Sequence, residues 1–423
     1  MVFDKVAVIG LGYIGLPTAA MFASRRKNVL GVDINPEVVN TINQGQIHIV
    51  EPELDMLVHA AVTEKTLRAS TVAEEADAFL IAVPTPFKDG YQPDLSFVEA
   101  AAKVIAPVLD KGNLVILEST CPVGATEQLA EWLAKERPDL NFPQSAGDDS
   151  DVCVAHCPER VLPGSVVREL VENDRVIGGI TPRCSALATE LYKTFVTGVC
   201  IETNSRTAEM AKLTENSFRD VNIAFANELS LICDELNIDV WELIRLANRH
   251  PRVSILQPGP GVGGHCIAVD PWFIVAKTPE QAKLISTARL VNDSKPEWVI
   301  GKVKRALFDQ LSTYPKKTMS DVSVACFGLA FKPDIDDLRE SPALKIVEDL
   351  ASELSCQLLV VEPNIERLPD SLSDSACLVG CQEAVVKADV IVILVDHKEF
   401  KELSVSQLGD TDIVDTKGLF SGI

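Results

Sequence analysis

The densest chemistry in the sequence lies in Gln257-Pro258-Gly259-Pro260-Gly261-Val262-Gly263-Gly264-His265-Cys266-Ile267-Ala268-Val269-Asp270. Glycines at 259, 261, 263 and 264 let backbone approach a ligand closely, where a Cβ would intervene. A cysteine follows at once, and a carboxylate stands one turn further on. Exposed backbone N–H groups or a nearby cation would hold such a thiol toward thiolate, its nucleophilic form. Among the other cysteines, Cys153, Cys200, Cys233, Cys326 and Cys356 sit in apolar runs and read as inert core. Neither His265-Cys266 nor Cys153, His156 and Cys157 has the paired spacing of a zinc site, so no metal is expected.

A second cluster lies in a stretch without proline or glycine, residues 203–236. Lys212, Asn216, Arg219 and Asp220 fall at i, i+4, i+7 and i+8, on one face of a predicted helix. Met210, Leu213 and Phe218 lie beside them. A solvated stripe would explain charges alone; a lysine and an asparagine among apolar neighbours point to a site.

The third cluster is Gly10-Leu11-Gly12-Tyr13-Ile14-Gly15, between a predicted strand and a predicted helix. The first glycine permits a tight turn, the second admits a pyrophosphate, and the third lets helix and strand pack closely. Asp33 stands about 20 residues on, where a carboxylate accepts from a ribose 2′-hydroxyl and repels a 2′-phosphate. The reading is a dinucleotide site selective for NAD. Val83-Pro84-Thr85-Pro86 and Glu118-Ser119-Thr120-Cys121-Pro122-Val123-Gly124 close two further predicted strands, at the sheet edge where ligands bind. The hydroxyls of Thr85, Thr120 and Thr126 there could face cofactor or substrate.

These residues need a frame to position them. Runs at 6–9, 29–32, 78–83 and 114–117 are short, continuously apolar and rich in β-branched residues, as parallel strands buried on both faces should be. Helical patterns at 16–24, 37–44 and 97–109 separate them. Helices are predicted at 203–236, 240–247 and 280–291, and a linker at 314–320. Strands then return at 322–327, 358–361, 390–395 and 413–414, with helices at 342–354 and 382–387. The predicted fold is α/β, with two Rossmann-like doubly wound domains joined by a long central helix and helical domain. Its boundaries are 1–200 for the NAD-binding domain, 201–312 for the central domain and 313–423 for the C-terminal domain.

The chain has 423 residues, 39 Lys plus Arg against 61 Asp plus Glu, and a net charge of −22. That surface repels nucleic acid and anionic membrane, so neither is an expected partner. An anionic substrate requires Lys and Arg gathered locally. The 11 cysteines are scattered, the opening Met1-Val2-Phe3-Asp4-Lys5 lacks the pattern of a signal peptide so none is expected, and no apolar run approaches the roughly 20 residues of a membrane span. Reduced thiols and a cytoplasmic location are expected.

In order along the whole chain, these motifs resemble the UDP-sugar 6-dehydrogenase (nucleotide-sugar dehydrogenase) family. The resemblance rests on the fingerprint, Pro84-Thr85-Pro86, Glu118-Ser119-Thr120, Pro158-Glu159-Arg160, Lys212 with Asn216, Gly263-Gly264-x-Cys266, and Phe331-Lys332-Pro333 through Asp336-Asp337-x-Arg339-Glu340-Ser341-Pro342. Many members acting on UDP-glucose place a lysine where this chain has Val269. That stretch, with Asn248-Arg249-His250-Pro251-Arg252, is similar instead to the 2-acetamido-sugar branch acting on UDP-N-acetyl-D-mannosamine in bacterial surface polysaccharide synthesis. The resemblance implies oxidation of a sugar C6 hydroxyl to a carboxylate with two NAD, through a Cys266 thiohemiacetal and thioester. It implies Lys212 as proton carrier and oxyanion partner, Asp270 activating water or orienting Lys212, and Glu159 and Thr120 as further proton-handling residues. Substrate contacts implied are Arg160, Val161, Lys212, Asn216, Arg219, His250, Arg252, Gly263, Phe331 and Lys332. Cofactor contacts implied are Gly10, Gly12, Tyr13, Ile14, Gly15, Asp33, Thr85, Thr126 and Arg339. A homodimer is implied as well.

Overall fold

The computed structural model describes residues 3–49, 51–161, 164–264, 266–409 and 411–420. The chain divides into two compact units, Met1–Glu215 with Trp272–Thr278, and Asn216–Pro271 with Pro279–Ile423.

The first unit is built on strands β1 (Lys5–Ile9), β2 (Asn28–Val32), β3 (Leu67–Ser70), β4 (Ala78–Ile81), β5 (Phe87–Lys88), β6 (Gln92–Pro93), β7 (Leu114–Leu117), β8 (Cys153–His156), β9 (Arg175–Gly179) and β10 (Cys200–Asn204). Eight of them form one sheet in the order β10-β9-β8-β7-β4-β1-β2-β3, parallel except where β8 meets β9. Alternation along β1 shows why the strand reads as continuously apolar. Val6 and Val8 pack with Leu16 and Phe22 on one face, while Ala7 and Ile9 pack with Val98, Ile105 and Leu129 on the other. The run predicted at 78–83 is a strand only to Ile81. Its partners Ile9 and Leu117 end there in register, so residues 82–86 leave the sheet as a loop. The small hairpin β5–β6 follows, and Tyr91 at its turn stacks on Trp272 at 3.9 Å and 8°.

In the second unit, β11 (Ser323–Phe327), β12 (Gln357–Val361), β13 (Ala376–Leu378), β14 (Val390–Ile393) and β15 (Asp412–Asp415) form an all-parallel sheet ordered β13-β12-β11-β14-β15. Its turns repeat those of the first sheet. The Gly10 N–H donates to the Val32 carbonyl at 2.8 Å, and the Gly328 N–H donates to that of Val361 at 2.8 Å. Next in each turn, the Leu11 N–H donates to Asp33 Oδ2 at 2.9 Å, and the Leu329 N–H to Glu362 Oε2 at 2.7 Å. Two Rossmann-like sheets are therefore present.

Between them in sequence runs the helix Ser205–Glu235, whose residues to Glu215 belong to the first unit. The prediction began it at residue 203, but Thr203 and Asn204 pair with Gly178 and Gly179 as the end of β10. The helix predicted at 280–291 is longer than expected, spanning Lys283–Thr313 through Pro296. Proline removes one N–H and disfavours helix at the preceding residue. Val299, Ile300, Val303 and Leu307 offset that by covering one face of the second sheet with Ile346 and Leu350. Among the described residues, no helix is long and apolar enough to cross a membrane.

Candidate functional site

The fingerprint turn has the shape its glycines anticipate. Gly10 lies at φ +90, and a Cβ on it would meet the Ala82 carbonyl oxygen at 2.5 Å. A Cβ on Gly15 would meet the Gly10 oxygen at 1.8 Å, whereas one on Gly12 would meet nothing within 4 Å. Two glycines thus pack the turn, and the third leaves its outer side open to a pyrophosphate. Tyr13 is exposed and Ile14 is half-buried at the start of the helix Gly15–Ser24. Asp33 is held through both oxygens, Oδ2 by the Leu11 N–H and Oδ1 by the Asn35 N–H at 2.9 Å. The cradle, the helix end and the oriented carboxylate fit NAD.

The two strand-end loops are stitched together by hydroxyls. The Val83 N–H donates to Ser119 Oγ at 2.9 Å, and that hydroxyl donates back to the Val83 carbonyl at 2.7 Å. Thr85 Oγ1 donates to the Thr120 carbonyl at 2.6 Å; both residues are half-buried. Thr126 is fully buried. Its hydroxyl donates to Glu209 Oε1 at 2.6 Å, its N–H to the same oxygen at 2.7 Å, and the Gly124 N–H to Oε2 at 2.7 Å. Burial pushes the Glu209 carboxyl up, and these three donors oppose the shift. The sequence reading missed Glu209. Its signal was a glutamate in an apolar stretch, one turn ahead of Lys212.

Beneath Glu159 lies a buried polar cluster. Glu159 Oε1 accepts the Arg160 N–H at 2.7 Å, and Oε2 accepts from Arg175 at 3.0 Å. Arg175 lies over the Tyr192 ring at 4.6 Å, and Tyr192 donates to Glu118 Oε1 at 2.5 Å. Burial pushes Glu118 up to about 7, with Arg175 pulling it down and Glu159 adding to the rise. Arg160 is half-buried, its guanidinium paired with Glu215 at 2.6 Å and donating to the Asp174 carbonyl at 3.1 Å. Val161 packs against the core of this unit. Lys212 is half-buried on the long helix.

In the second unit the structure joins helix, nucleophile turn and C-terminal loop. Asn216, one turn beyond Lys212, is buried and donates to Asp270 Oδ2 at 2.5 Å. The Asp270 N–H donates in turn to the Cys266 carbonyl at 2.9 Å, so the exposed Cys266 opens the turn that starts the helix Asp270–Lys277. The glycines before it are required by Phe331. A Cβ on Gly263 would meet the Glu340 carbonyl oxygen at 2.4 Å and Phe331 Cβ at 2.9 Å. One on Gly264, at φ +81, would meet the Phe331 ring at 2.9 Å. Further back, the Gly259 N–H donates to Asn227 Oδ1 at 2.9 Å, Asn227 donates to Asn292 at 2.8 Å, and Asn292 donates to Asp220 at 2.8 Å. Asp220 is fully buried and paired with Arg289 at 2.6 Å. The four polar residues expected on one helical face therefore differ in exposure: Asn216 and Asp220 are buried, Lys212 is half-buried and Arg219 is exposed.

His250 and Arg252 are exposed in the loop after the helix Val240–Ala247, where the Arg252 N–H donates to His250 Nδ1 at 3.3 Å. Lys332 is exposed beside the half-buried Phe331. The exposed Arg339 forms a two-pronged pair with Asp337, at 2.9 and 2.6 Å. His265 lies outside the described residues. Of the cysteines read as core, Cys153, Cys233 and Cys326 are buried, while Cys200 and Cys356 are half-buried.

Sequence profiles of the UDP-glucose/GDP-mannose dehydrogenase family match three parts of the chain: its NAD binding domain at residues 4–196, its central domain at 206–294 and its UDP binding domain at 325–422. The UDP-N-acetyl-D-mannosamine dehydrogenase of Yersinia pestis is 65% identical over 420 residues, covering 99% of this chain and 100% of the relative. The NDP-N-acetyl-D-galactosaminuronic acid dehydrogenase of Ralstonia nicotianae is 61% identical over 419 residues, covering 99% and 97%. Among solved structures, a UDP-D-ManNAc dehydrogenase from Pyrococcus horikoshii superposes with a TM-score of 0.87 at 40% identity, over 99% of this chain and 96% of that one.

Proposed function

This chain belongs to the UDP-glucose/GDP-mannose dehydrogenase family, and from that premise we propose that it oxidises the C6 hydroxyl of UDP-N-acetyl-D-mannosamine to a carboxylate with two NAD. The observation that carries the reading is the Asn216–Asp270 bond, which fixes the turn bearing Cys266 to the helix bearing Lys212. The mannosamine epimer is supported by the Yersinia pestis relative and the Pyrococcus horikoshii structure.

NAD, when bound, supplies the hydride acceptor at C6. Lys212 takes the hydroxyl proton as the first hydride leaves, giving an aldehyde. The Cys266 sulfur then bonds to the aldehyde carbon and the oxygen gains a proton, giving a thiohemiacetal. Loss of a second hydride and that proton leaves a thioester. Water adds to its carbonyl carbon and the C–S bond breaks, releasing carboxylate and thiol. Lys212 faces the oxyanionic states, and Asp270, oriented by Asn216, activates the water or aligns Lys212. Glu159 and Thr120 handle protons in support. Arg160, Arg219, Arg252 and Lys332 supply the cations a diphosphate needs on an acidic chain, with Val161, His250, Gly263 and Phe331 shaping the seat. Thr85 and Arg339 complete the cofactor contacts; Thr126, expected among them, is fully buried with its hydroxyl and N–H both donated to Glu209, so it positions that carboxylate instead. The division at residues 200 and 312 and a homodimer belong to the same proposal. Support for the dimer comes from the exposed Phe218, Phe225 and Ile232, which recur at seven-residue spacing on the long helix.

Turnover of UDP-N-acetyl-D-mannosamine, UDP-N-acetylglucosamine and UDP-N-acetylgalactosamine, followed as NADH absorbance, tests the assignment. The mannosamine sugar is expected to give the highest kcat/KM. Preference for either other sugar overturns the epimer, and no NADH from any of the three overturns the activity.

A further inference from the structure

Phe331 rests on the glycines of the nucleophile's loop, and the segment presenting it is held at both ends by one buried pair. Glu362, directly after β12, is 4% exposed, and its Oε2 accepts the N–H groups of Leu329 at 2.7 Å and Ala330 at 3.1 Å. His397, fully buried after β14, accepts the Asp334 N–H on Nδ1 at 2.9 Å. The two side chains meet between His397 Nε2 and Glu362 Oε2 at 3.0 Å. Because Nδ1 accepts from a backbone N–H, the ring proton sits on Nε2 and is donated to the carboxylate. Asn364 bridges the pair, at 3.2 Å from each, and Phe400 packs edge-on against the imidazole at 5.2 Å. Between these anchors Phe331 is half-buried and Lys332 exposed, and Asp334 lies at φ 63.

Glu362 occupies the place in the second sheet that Asp33 holds in the first. Asp33 is half-buried and stands ready for a ribose. Glu362 is sealed by His397, its Oε2 spent on the loop backbone and its Oε1 on Asn364.

We propose that Glu362 and His397 are a positioning pair: they set the pose of Phe331 and Lys332, and through Phe331 the seat of the Gly263-Gly264-x-Cys266 turn. The inference rests on the proposed roles of Phe331, Lys332 and Cys266. It explains why two ionisable side chains are buried where apolar residues would fill the core as well.

His397→Gln keeps a donor toward Glu362 but loses the acceptor for Asp334. His397→Asn keeps an acceptor near Nδ1 and loses the donor. Glu362→Gln keeps the shape and removes the charge. Two readouts are made on the full-length protein: UDP affinity by calorimetry, and iodoacetamide labelling of Cys266 by mass spectrometry, with the exposed Cys377 of β13 as internal reference. Each variant is expected to weaken UDP by about tenfold and to change the Cys266 to Cys377 labelling ratio by at least about twofold, with NAD affinity unchanged. If a histidine variant fails to fold, Glu362→Gln decides. Wild-type UDP affinity and labelling ratio in a folded variant overturn the proposal. Neither readout needs turnover, so an enzyme inactive on UDP-N-acetyl-D-mannosamine would overturn the proposed function without touching this result.

Discussion

Glu118 and Lys295 carry opposite consequences for stability against pH. Burial raises Glu118 from its ordinary value to about 7, so folding favours its protonated form. The stability this contributes is present below about 4.5 and is lost as pH rises through about 7. Glu118→Gln, neutral at every pH and still an acceptor for Tyr192, should gain in Tm over the wild type as pH goes from about 5 to about 8. A flat difference would contradict the burial argument. Lys295, 2% exposed and donating to Ser230 Oγ at 2.8 Å, is lowered by burial to about 7, with Asp234 pulling it up and Lys302 pulling it down. Its stability contribution is present at high pH and lost as pH falls through about 7. The Tm advantage of Lys295→Met should therefore shrink between about pH 7 and about pH 10, which scanning calorimetry would read. At this scale the sequence displays residues whose chemistry is unusual for their surroundings: Cys266 among glycines, Asp33 after a strand, Asn216 within a helix. It conceals those whose role depends on distant contacts. Glu118 meets Tyr192 across 74 positions and Glu209 meets Thr126 across 83, separations no local pattern encodes.

Elements decide how closely Cys266 can be placed. Gly264 is a glycine because it lies at φ +81 and because the Phe331 ring occupies the space a Cβ would need. Gly264→Ala should lower kcat/KM by about a hundredfold, the cost of roughly 1 Å of misplacement. Adding Phe331→Leu should return part of that loss, although Phe331→Leu alone should weaken substrate binding if Phe331 has its proposed role. A double variant no better than the single one would contradict this packing account. Periodicity locates the elements well where both faces are buried, as in β1 and β7, and where apolar residues mark one face, as in the helix Val240–Ala247. It fails where tertiary packing overrules a local signal. Pro296 suggests a break that the apolar stripe at 299, 300, 303 and 307 removes, and β9 and β10 carry polar or exposed residues that hide them among loops.

The whole molecule has an architecture that its order of motifs discloses: two βαβ regions flanking helices. What one chain's sequence discloses less is the use of the long helix beyond its own units. Phe218, Phe225 and Ile232 form an exposed apolar row that a second copy would cover in the proposed dimer. Phe218→Glu combined with Phe225→Glu should convert a dimer to a monomer in sedimentation. A wild-type chain that sediments as a monomer would remove the dimer from the account.

The central claim is that the Cys266 sulfur carries the substrate between two oxidations. The direct measurement is the ratio of NADH formed to UDP-N-acetyl-D-mannosamine consumed, for the wild type and for Cys266→Ala. The account predicts about two for the wild type, and for the variant a loss of complete oxidation of at least about a thousandfold. A Cys266→Ala enzyme that still delivers two NADH per sugar at the wild-type rate would contradict it.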